Sequence, residues 1–573
     1  MNKIDTQYNL WLEKAVDDPD LIEELRAIAG DEQAKADRFY KSLEFGTAGL
    51  RGVIGAGTNR MNIYTVGQAT QGLADFLNKK YDNPSVAIAY DSRIKSDVFA
   101  KDSAAILAAN SIKVYLFEEL VPTPVLSFAV RELGCKSGII LTASHNPAEY
   151  NGYKCYDPDG YQMTDESARA TLDEISKTDI FSDVKKVDFD CAVKDGKIEF
   201  LGEDMMNKFL SAVERQRINK DAPEKADLKI VYTPLNGTGN KPVREILRRI
   251  GCKNVKVVPQ QELPDGNFPT CPYPNPEIEQ AFEYAIKCTE DFDADLLLAT
   301  DPDCDRVGIA VKDNGSYRLM SGNEVGAMLL EYILSCRKAN GTLPENPIAV
   351  KSFVTTGIVF RIAEKYGCEV VNLLTGFKYI GECITNLEKK GEQDRFVLGF
   401  EESYGYLCGT HARDKDAVVA SMMICEMAAY YKLQGKSLVQ VMDEIYKEYG
   451  IYKHTVLSLK FEGESGMNHM AEIMSGLRAK TPESFAGLKV ESVEDFDCLK
   501  KTNLSDMSQE DINLPRTNAL VFNLEQGNSL IVRPSGTEPK IKAYVTAVTE
   551  SEQKANELTD KLLKDFKHLI GEK

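Results

Sequence analysis

No stretch of this chain reaches the roughly 18 consecutive apolar residues of a membrane-spanning helix, so contact with a membrane is not expected. The amino-terminal stretch MNKIDTQYNLWLEKAVDDPD lacks the apolar core of a secretory leader, which leads to the expectation of a cytoplasmic protein. Cysteine pairs at C-x-x-C spacing are absent. The 13 cysteines are dispersed, and Cys383 and Cys425 lie inside apolar stretches, so reduced thiols are expected rather than a disulfide or zinc framework. Positive charge is scarce: 69 basic residues stand against 88 acidic ones, a formal charge of −19, which argues against nucleic acid and anionic membranes as partners. An anionic ligand must therefore be met by locally placed Arg, Lys and backbone N–H groups. Low-complexity and Pro/Gly-rich tracts are also missing. The 573 residues, at roughly 150 per domain, leave room for about four domains.

Short apolar runs alternate with longer helical patterns through most of the chain. Leu21, Leu25 and Ile28 recur at helical spacing and predict a helix leading into the glycine-rich string FGTAGLRG. VAIAY precedes Asp91, Ser92 and Arg93, a helical stretch follows, and KVYLF and GIILTAS come next, a β-α-β rhythm. The rhythm restarts at KIVYTPLNGTG, reaching the strand DLLLAT, and again at SGNEVGAMLLEYIL, IAVKSFV and FVLGFEES. After Lys453 the strands HTVLSLKF, ALVFNL, SLIV and KIKAYVTAV precede a terminal helix marked by Leu558, Leu562, Phe566 and Ile570. The expected architecture is α/β: three related domains with mixed sheets, over 1–205, 206–320 and 321–452, and a smaller α+β domain over 453–573.

Four polar strings carry the chemistry. TASHNP follows an apolar run, so Ser144 is expected as an exposed loop hydroxyl at a strand end, where α/β folds place function. The G-x-S-x-G elbow of a serine hydrolase is absent, and His145 reads as poorly placed to deprotonate its own neighbour. In TDPDCDR, Asp301, Asp303 and Asp305 crowd three carboxylates into five residues, which a cation would neutralise. Arg306 and Lys312 occupy the positions where an EF-hand needs Gly and Glu, and all-oxygen ligation without Cys or His favours Mg²⁺ over zinc. Cys304 reads as a packing residue. GFEESYGY offers Glu401 and Ser403 to sugar hydroxyls. RPSGTEPK gathers Arg533, Ser535, Gly536, Thr537 and Lys540, donors suited to a phosphate.

Together the strings resemble the α-D-phosphohexomutase family, most closely its bacterial phosphoglucomutase/phosphomannomutase branch. The resemblance implies three α/β domains and a smaller fourth around a central cleft. It also implies interconversion of hexose 1-phosphate and hexose 6-phosphate, with glucose ahead of mannose, through a phosphoserine and a 1,6-bisphosphate intermediate. Phosphopentomutase, phosphoglucosamine mutase and, more distantly, a non-catalytic sugar-phosphate-binding protein are the alternatives. By that likeness Ser144 is the phosphorylated residue and a further Mg²⁺ ligand, beside Asp301, Asp303 and Asp305, and Arg306 belongs to the same loop. Glu401 and Ser403 bind sugar hydroxyls, while Arg533, Ser535, Gly536 and Thr537 cradle phosphate. Arg51 lies near the transferring phosphate, Lys154 serves as general acid/base and His411 stands beside the sugar. Arg413 and Lys415 add positive charge there, and Lys378 contacts the sugar phosphate. Glucose 1,6-bisphosphate is the implied activator. The chain departs from the family in carrying Phe400 where many members have Gly before the glutamate.

Overall fold

The computed structural model describes residues 3–46, 49–461, 463–534 and 540–572. Ser535, Gly536 and Thr537 lie outside the described residues. The chain packs as two compact units, Met1–Gly322 with Phe377–Ser437 and Asn323–Gly376 with Leu438–Lys573.

In the first unit, a six-stranded sheet is built from β1 (Gly49–Val53), β2 (Ser85–Tyr90), β3 (Lys113–Phe117), β4 (Ser137–Leu141), β5 (Tyr150–Tyr156) and β6 (Ile198–Leu201), in the order β1-β5-β4-β2-β3-β6. β2 lies parallel to β3 and β4, whereas β5 runs antiparallel to β4 and β1, so the sheet is mixed. β4, Ser-Gly-Ile-Ile-Leu, is buried at every position, the pattern of a strand covered on both faces. The helix Ile63–Lys80 starts on a capping box between Asn62 and Thr65 and buries Leu73 and Leu77 with Val86, Ile88 and Leu141 of the sheet.

A second sheet has β7 (Lys229–Thr233), β8 (Asn254–Val257), β9 (Leu296–Thr300), β10 (Val307–Asp313) and β11 (Ser316–Met320), ordered β11-β10-β9-β7-β8. Because Thr300 pairs with Val307, the six residues between them form the turn of an antiparallel hairpin, and this turn is the carboxylate-rich string. In the second unit β12 (Ile348–Ser352) runs parallel to β13 (Glu369–Leu373). Back in the first, β14 (Phe396–Glu401) and β15 (Gly405–Leu407) form another hairpin, whose turn carries Ser403. Each of these two strings thus sits where a strand turns back.

The carboxy-terminal part of the second unit is an antiparallel sheet that includes Leu488–Asp495, Leu520–Leu524, Ser529–Pro534 and Lys540–Thr549. The helices Gly463–Ala479 and Glu552–Leu569 bury Met470, Met474, Leu562 and Phe566 against Leu530 and Val532. The amino terminus departs from expectation. Leu21 and Leu25 are buried in the helix Pro19–Ala27, but a further helix, Glu32–Phe39, separates it from the glycine-rich string. That helix buries only Lys35 and Phe39, too sparse a pattern to stand out in the sequence. Among the described residues no helix is long and apolar enough to cross a membrane.

Candidate active site

Ser144 follows β4 in a left-handed conformation, φ 54°, that side chains other than glycine seldom adopt. It is not the exposed hydroxyl that a polar turn suggests, since the residue keeps only 4% of its accessible surface. Its Oγ donates to Asp301 Oδ2 at 2.9 Å and lies 3.1 Å from Nδ1 of His145. The expectation that His145 is poorly placed to deprotonate its neighbour is corrected in its geometry, since the ring nitrogen lies within hydrogen-bonding reach of the hydroxyl. Burial, with the charges of Arg306, Arg51 and Lys154, pushes the His145 imidazole down to about 2, so it stays neutral.

The hairpin turn after β9 presents Asp301, Asp303 and Asp305, all buried, with one oxygen of each within 4.8 Å of the others. Cys304 is buried between them at φ 51°, as a packing residue. Burial and the neighbouring carboxylates raise Asp301 well above the ordinary range, and Asp305 is raised for the same reasons. For Asp303 burial is outweighed by Lys154, so its carboxyl is lowered instead. Lys154, on β5, sets Nζ 3.0 Å from Asp303 Oδ2 and 3.9 Å from Asp305. Lys415 bridges Asp305 and Asp414, at 3.0 Å each. Arg306 pairs with Glu277 at 2.6 Å, and that charge, with Asp305 and Asp301, overcomes burial and raises its guanidinium.

Among the described residues, five carboxylates (Asp301, Asp303, Asp305, Asp414 and Glu277) thus share one ion-pair network with three cations, Lys154, Lys415 and Arg306. Among the described residues, Asp303 Oδ1 and Asp305 Oδ1 are buried without a hydrogen-bond partner. Two uncompensated charges, orphaned carboxylate oxygens and an all-oxygen donor set fit a hard divalent cation. Arg51, on β1, remains solvent-exposed and cationic; crowding by protein lowers its guanidinium, while Asp303 and Asp305 act the other way.

The sugar string meets this turn directly. Val307 donates its backbone N–H to Tyr404 O at 3.1 Å, and Arg306 forms a β-bridge with Gly405. A Cβ on Gly405 would collide with the Lys415 side chain, so glycine is needed there for Lys415 to reach Asp305. Glu401 is buried at the end of β14, where its charge helps raise Arg306, and Ser403 is half-buried. Phe400 is buried with its ring stacked on Tyr406, centroids 6.4 Å apart, so the bulk that replaces the family's Gly goes into the core.

The remaining candidates have partners of their own, and one of them, Arg413, departs from expectation. Arg413 is fully buried, bonded to Glu388 Oε2 at 2.7 Å, Thr385 Oγ1 and the carbonyl of Thr410, and holds two elements together instead of adding free charge to the sugar site. His411 sets Nε2 2.7 Å from Asp416 Oδ2 and packs its ring on Phe209, while Asp416 caps the helix Ala417–Lys432. Lys378 pairs with Asp165 at 2.7 Å. In the second unit Arg533 sits at the end of a strand, in register with Lys542.

Several residues that bear on the site escape notice in the sequence. Thr123 binds Asp303 through both its N–H, at 2.9 Å to the carbonyl, and its hydroxyl, at 3.1 Å to Oδ2. Pro302 packs against Gly237, where an added Cβ would lie 2.5 Å from Pro302 Cα, and Thr238 donates to the Pro302 carbonyl at 2.8 Å. Gly237→Ala should therefore displace the carboxylate turn and cost about 1–3 kcal/mol of stability, read from the denaturation midpoint, together with weaker divalent-ion binding.

Four family models, for the three α/β/α domains and the C-terminal domain of phosphoglucomutase/phosphomannomutase, match residues 42–181, 207–315, 321–449 and 477–564. The chain belongs to the phosphoglucomutase/phosphomannomutase family. A curated phosphoglucomutase of Staphylococcus haemolyticus is 36% identical over 89% of this chain and 91% of its own length. One of Staphylococcus saprophyticus is 34% identical over 95% and 96%. The fold is also that of a family protein from Burkholderia thailandensis, TM-score 0.66 at 18% identity over 92% of this chain and 97% of that one. Parafusin, a Paramecium phosphoglucomutase, gives TM-score 0.67 at 17% identity over 93% and 96%. As a member the chain is a phosphohexomutase, an enzyme that moves a phosphoryl group within a sugar phosphate.

Proposed function

We propose that the enzyme interconverts glucose 1-phosphate and glucose 6-phosphate, with mannose phosphates as slower substrates, by shuttling one phosphoryl group on Ser144. The observation that carries this reading is the Ser144 hydroxyl 2.9 Å from Asp301, inside a buried carboxylate cluster that has charge left for a cation. The curated relatives named phosphoglucomutase support glucose as the sugar.

Mg²⁺ held by Asp301, Asp303, Asp305 and an oxygen of phosphorylated Ser144 would supply the positive charge that offsets the phosphoryl oxygens. In the first half-reaction the bond from phosphorus to Ser144 Oγ breaks as one forms to O6 of the hexose 1-phosphate. The proton lost by O6 matches the one gained at Oγ. Lys154, 3.0 Å from Asp303, is the side chain best placed to move it, whereas His411 is engaged by Asp416. The 1,6-bisphosphate then turns over, and its 1-phosphate returns to Ser144. Free glucose 1,6-bisphosphate is the activator because it phosphorylates an empty Ser144 by the same step. Arg306 and Arg51 stabilise the transferring group. Glu401 and Ser403 orient hydroxyls, with Lys378 and Lys415 as further contacts. Arg533, Ser535, Gly536 and Thr537 hold the phosphate that is not reacting.

A coupled assay over glucose, mannose, glucosamine and ribose 1-phosphates tests the reading. Glucose 1-phosphate should give the highest kcat/KM, and a ribose or glucosamine preference would overturn it. Arg533→Ala should lower kcat/KM by roughly 30- to 1,000-fold in both directions, the loss of about 2–4 kcal/mol from a charge-assisted contact. An unchanged kcat/KM in both directions would remove Arg533 from the site.

A further inference from the structure

The Asp91–Ser92–Arg93 string at the end of β2 has no part in the steps above, yet its arginine is the most heavily engaged side chain under the nucleophile. Arg93 is buried, and its guanidinium donates to four carbonyls of the Ser144 loop. Nη2 reaches Ser144 O at 2.6 Å and Asn146 O, and Nη1 reaches Pro147 O at 2.8 Å and Tyr150 O at 2.9 Å. Asp91 Oδ2 lies 3.4 Å from its Nε, and Asp91 Oδ1 accepts from the Arg93 N–H at 2.9 Å. The other face of the guanidinium lies 5.0 Å from the ring centroid of Phe268.

Phe268 belongs to the segment PDGNFPTCPYPNPE, whose five prolines in 14 residues correct the expectation that the chain has no proline-rich tract. It presses on the same string, since a Cβ on Gly266 would lie 2.6 Å from Ile94 N and 2.7 Å from Ser92 O. Further along, Tyr273 sets its ring edge-on to His145, centroids 5.8 Å apart, and Glu277 holds Arg306. One segment from the second sheet's domain thus braces Arg93, His145 and Arg306.

We propose that Arg93, clamped by Asp91 and Phe268, is a positioning residue for phosphoryl transfer: it pins the carbonyls of residues 144–150 so that Ser144 stays left-handed with Oγ aimed at Asp301. A planar fork of donors suits this role. A lysine ammonium keeps the charge but cannot span four carbonyls in one plane. Ser144 must act as leaving group and as nucleophile in the same cycle, so a small drift of its loop penalises both half-reactions, whereas binding of the sugar phosphate by other residues is untouched. The inference rests on the phosphoserine reading above.

The test compares full-length wild type, Arg93→Lys and Phe268→Leu. The readouts are thermal midpoint, kcat per folded site, KM for glucose 1-phosphate, and uptake of one phosphoryl mass on Ser144 from glucose 1,6-bisphosphate. Arg93→Lys should lower kcat about 100-fold, with KM within about threefold of wild type and Ser144 phosphorylation slowed in proportion. Phe268→Leu, which keeps an apolar side chain in place, should lower kcat about tenfold with the same split. A purely structural role would lower the midpoint and leave kcat per folded site intact; that result for Arg93→Lys overturns the proposal. If Arg93→Lys does not accumulate in folded form, Phe268→Leu decides by the same criterion. Wild type that never takes up a phosphoryl group removes the phosphoserine reading and this inference with it. Uptake by wild type and unimpaired variants removes the inference alone.

Discussion

Ser144→Ala should fold and lose turnover by on the order of 10⁴-fold or more, because no other group can hold the phosphoryl between the two half-reactions. The stability effect is small but not nil. The hydroxyl is buried and donates to Asp301, so its removal leaves an acceptor unpaired and costs about 1–3 kcal/mol. Intact mass should show no phosphoryl on the variant, and its circular dichroism should match wild type. Near-normal turnover in a folded Ser144→Ala protein would remove the nucleophile assignment.

Exhaustive chelation should abolish turnover almost as completely. In the ion-pair network that Lys154, Lys415 and Arg306 build at the turn after β9, carboxylates exceed cations by two among the described residues, and a phosphoserine adds up to about two further negative charges at neutral pH. Without a divalent cation that excess repels the incoming sugar phosphate, and the loss should be several kcal/mol of transition-state stabilisation, on the order of 10³-fold in kcat. Mg²⁺ should restore the rate. Asp303→Asn should weaken the metal dependence by at least about tenfold, since it takes away an anionic ligand and the nearer of the two carboxylates that Lys154 pairs with. Activity that survives chelation would show that the three aspartates bind no essential ion.

The sequence was informative wherever function and local pattern coincide. Apolar runs ending in polar strings gave β4 with Ser144, β9 with Asp301 and β14 with Glu401, since a strand end is where a loop can face a ligand. Facing direction was less legible. Arg413 and Lys415 are two residues apart in THARDKDA, yet one runs through the interior to the exposed Glu388 and the other reaches the buried Asp305, a choice made by tertiary packing. His411 is engaged by a helix cap, Asp416, a pairing that the string THARDKDA does not announce. The burial of Ser144 and its contact with His145 depend on one left-handed residue, which an S-H-N-P string permits but does not announce. Arg93, Thr123 and Glu277 reach the site across 29 to 180 residues of sequence, separations at which periodicity carries no signal.

The phosphoserine shuttle is tested most directly by following label. Wild-type protein, first stripped of phosphate, is mixed with Mg²⁺ and glucose 1,6-bisphosphate carrying labelled phosphate, quenched at short times and digested. The account predicts one labelled phosphoryl group on the peptide that contains Ser144, formed at least as fast as turnover and discharged when unlabelled glucose 1-phosphate is added. Turnover without label on that peptide, or label that does not leave on addition of the sugar phosphate, would contradict it.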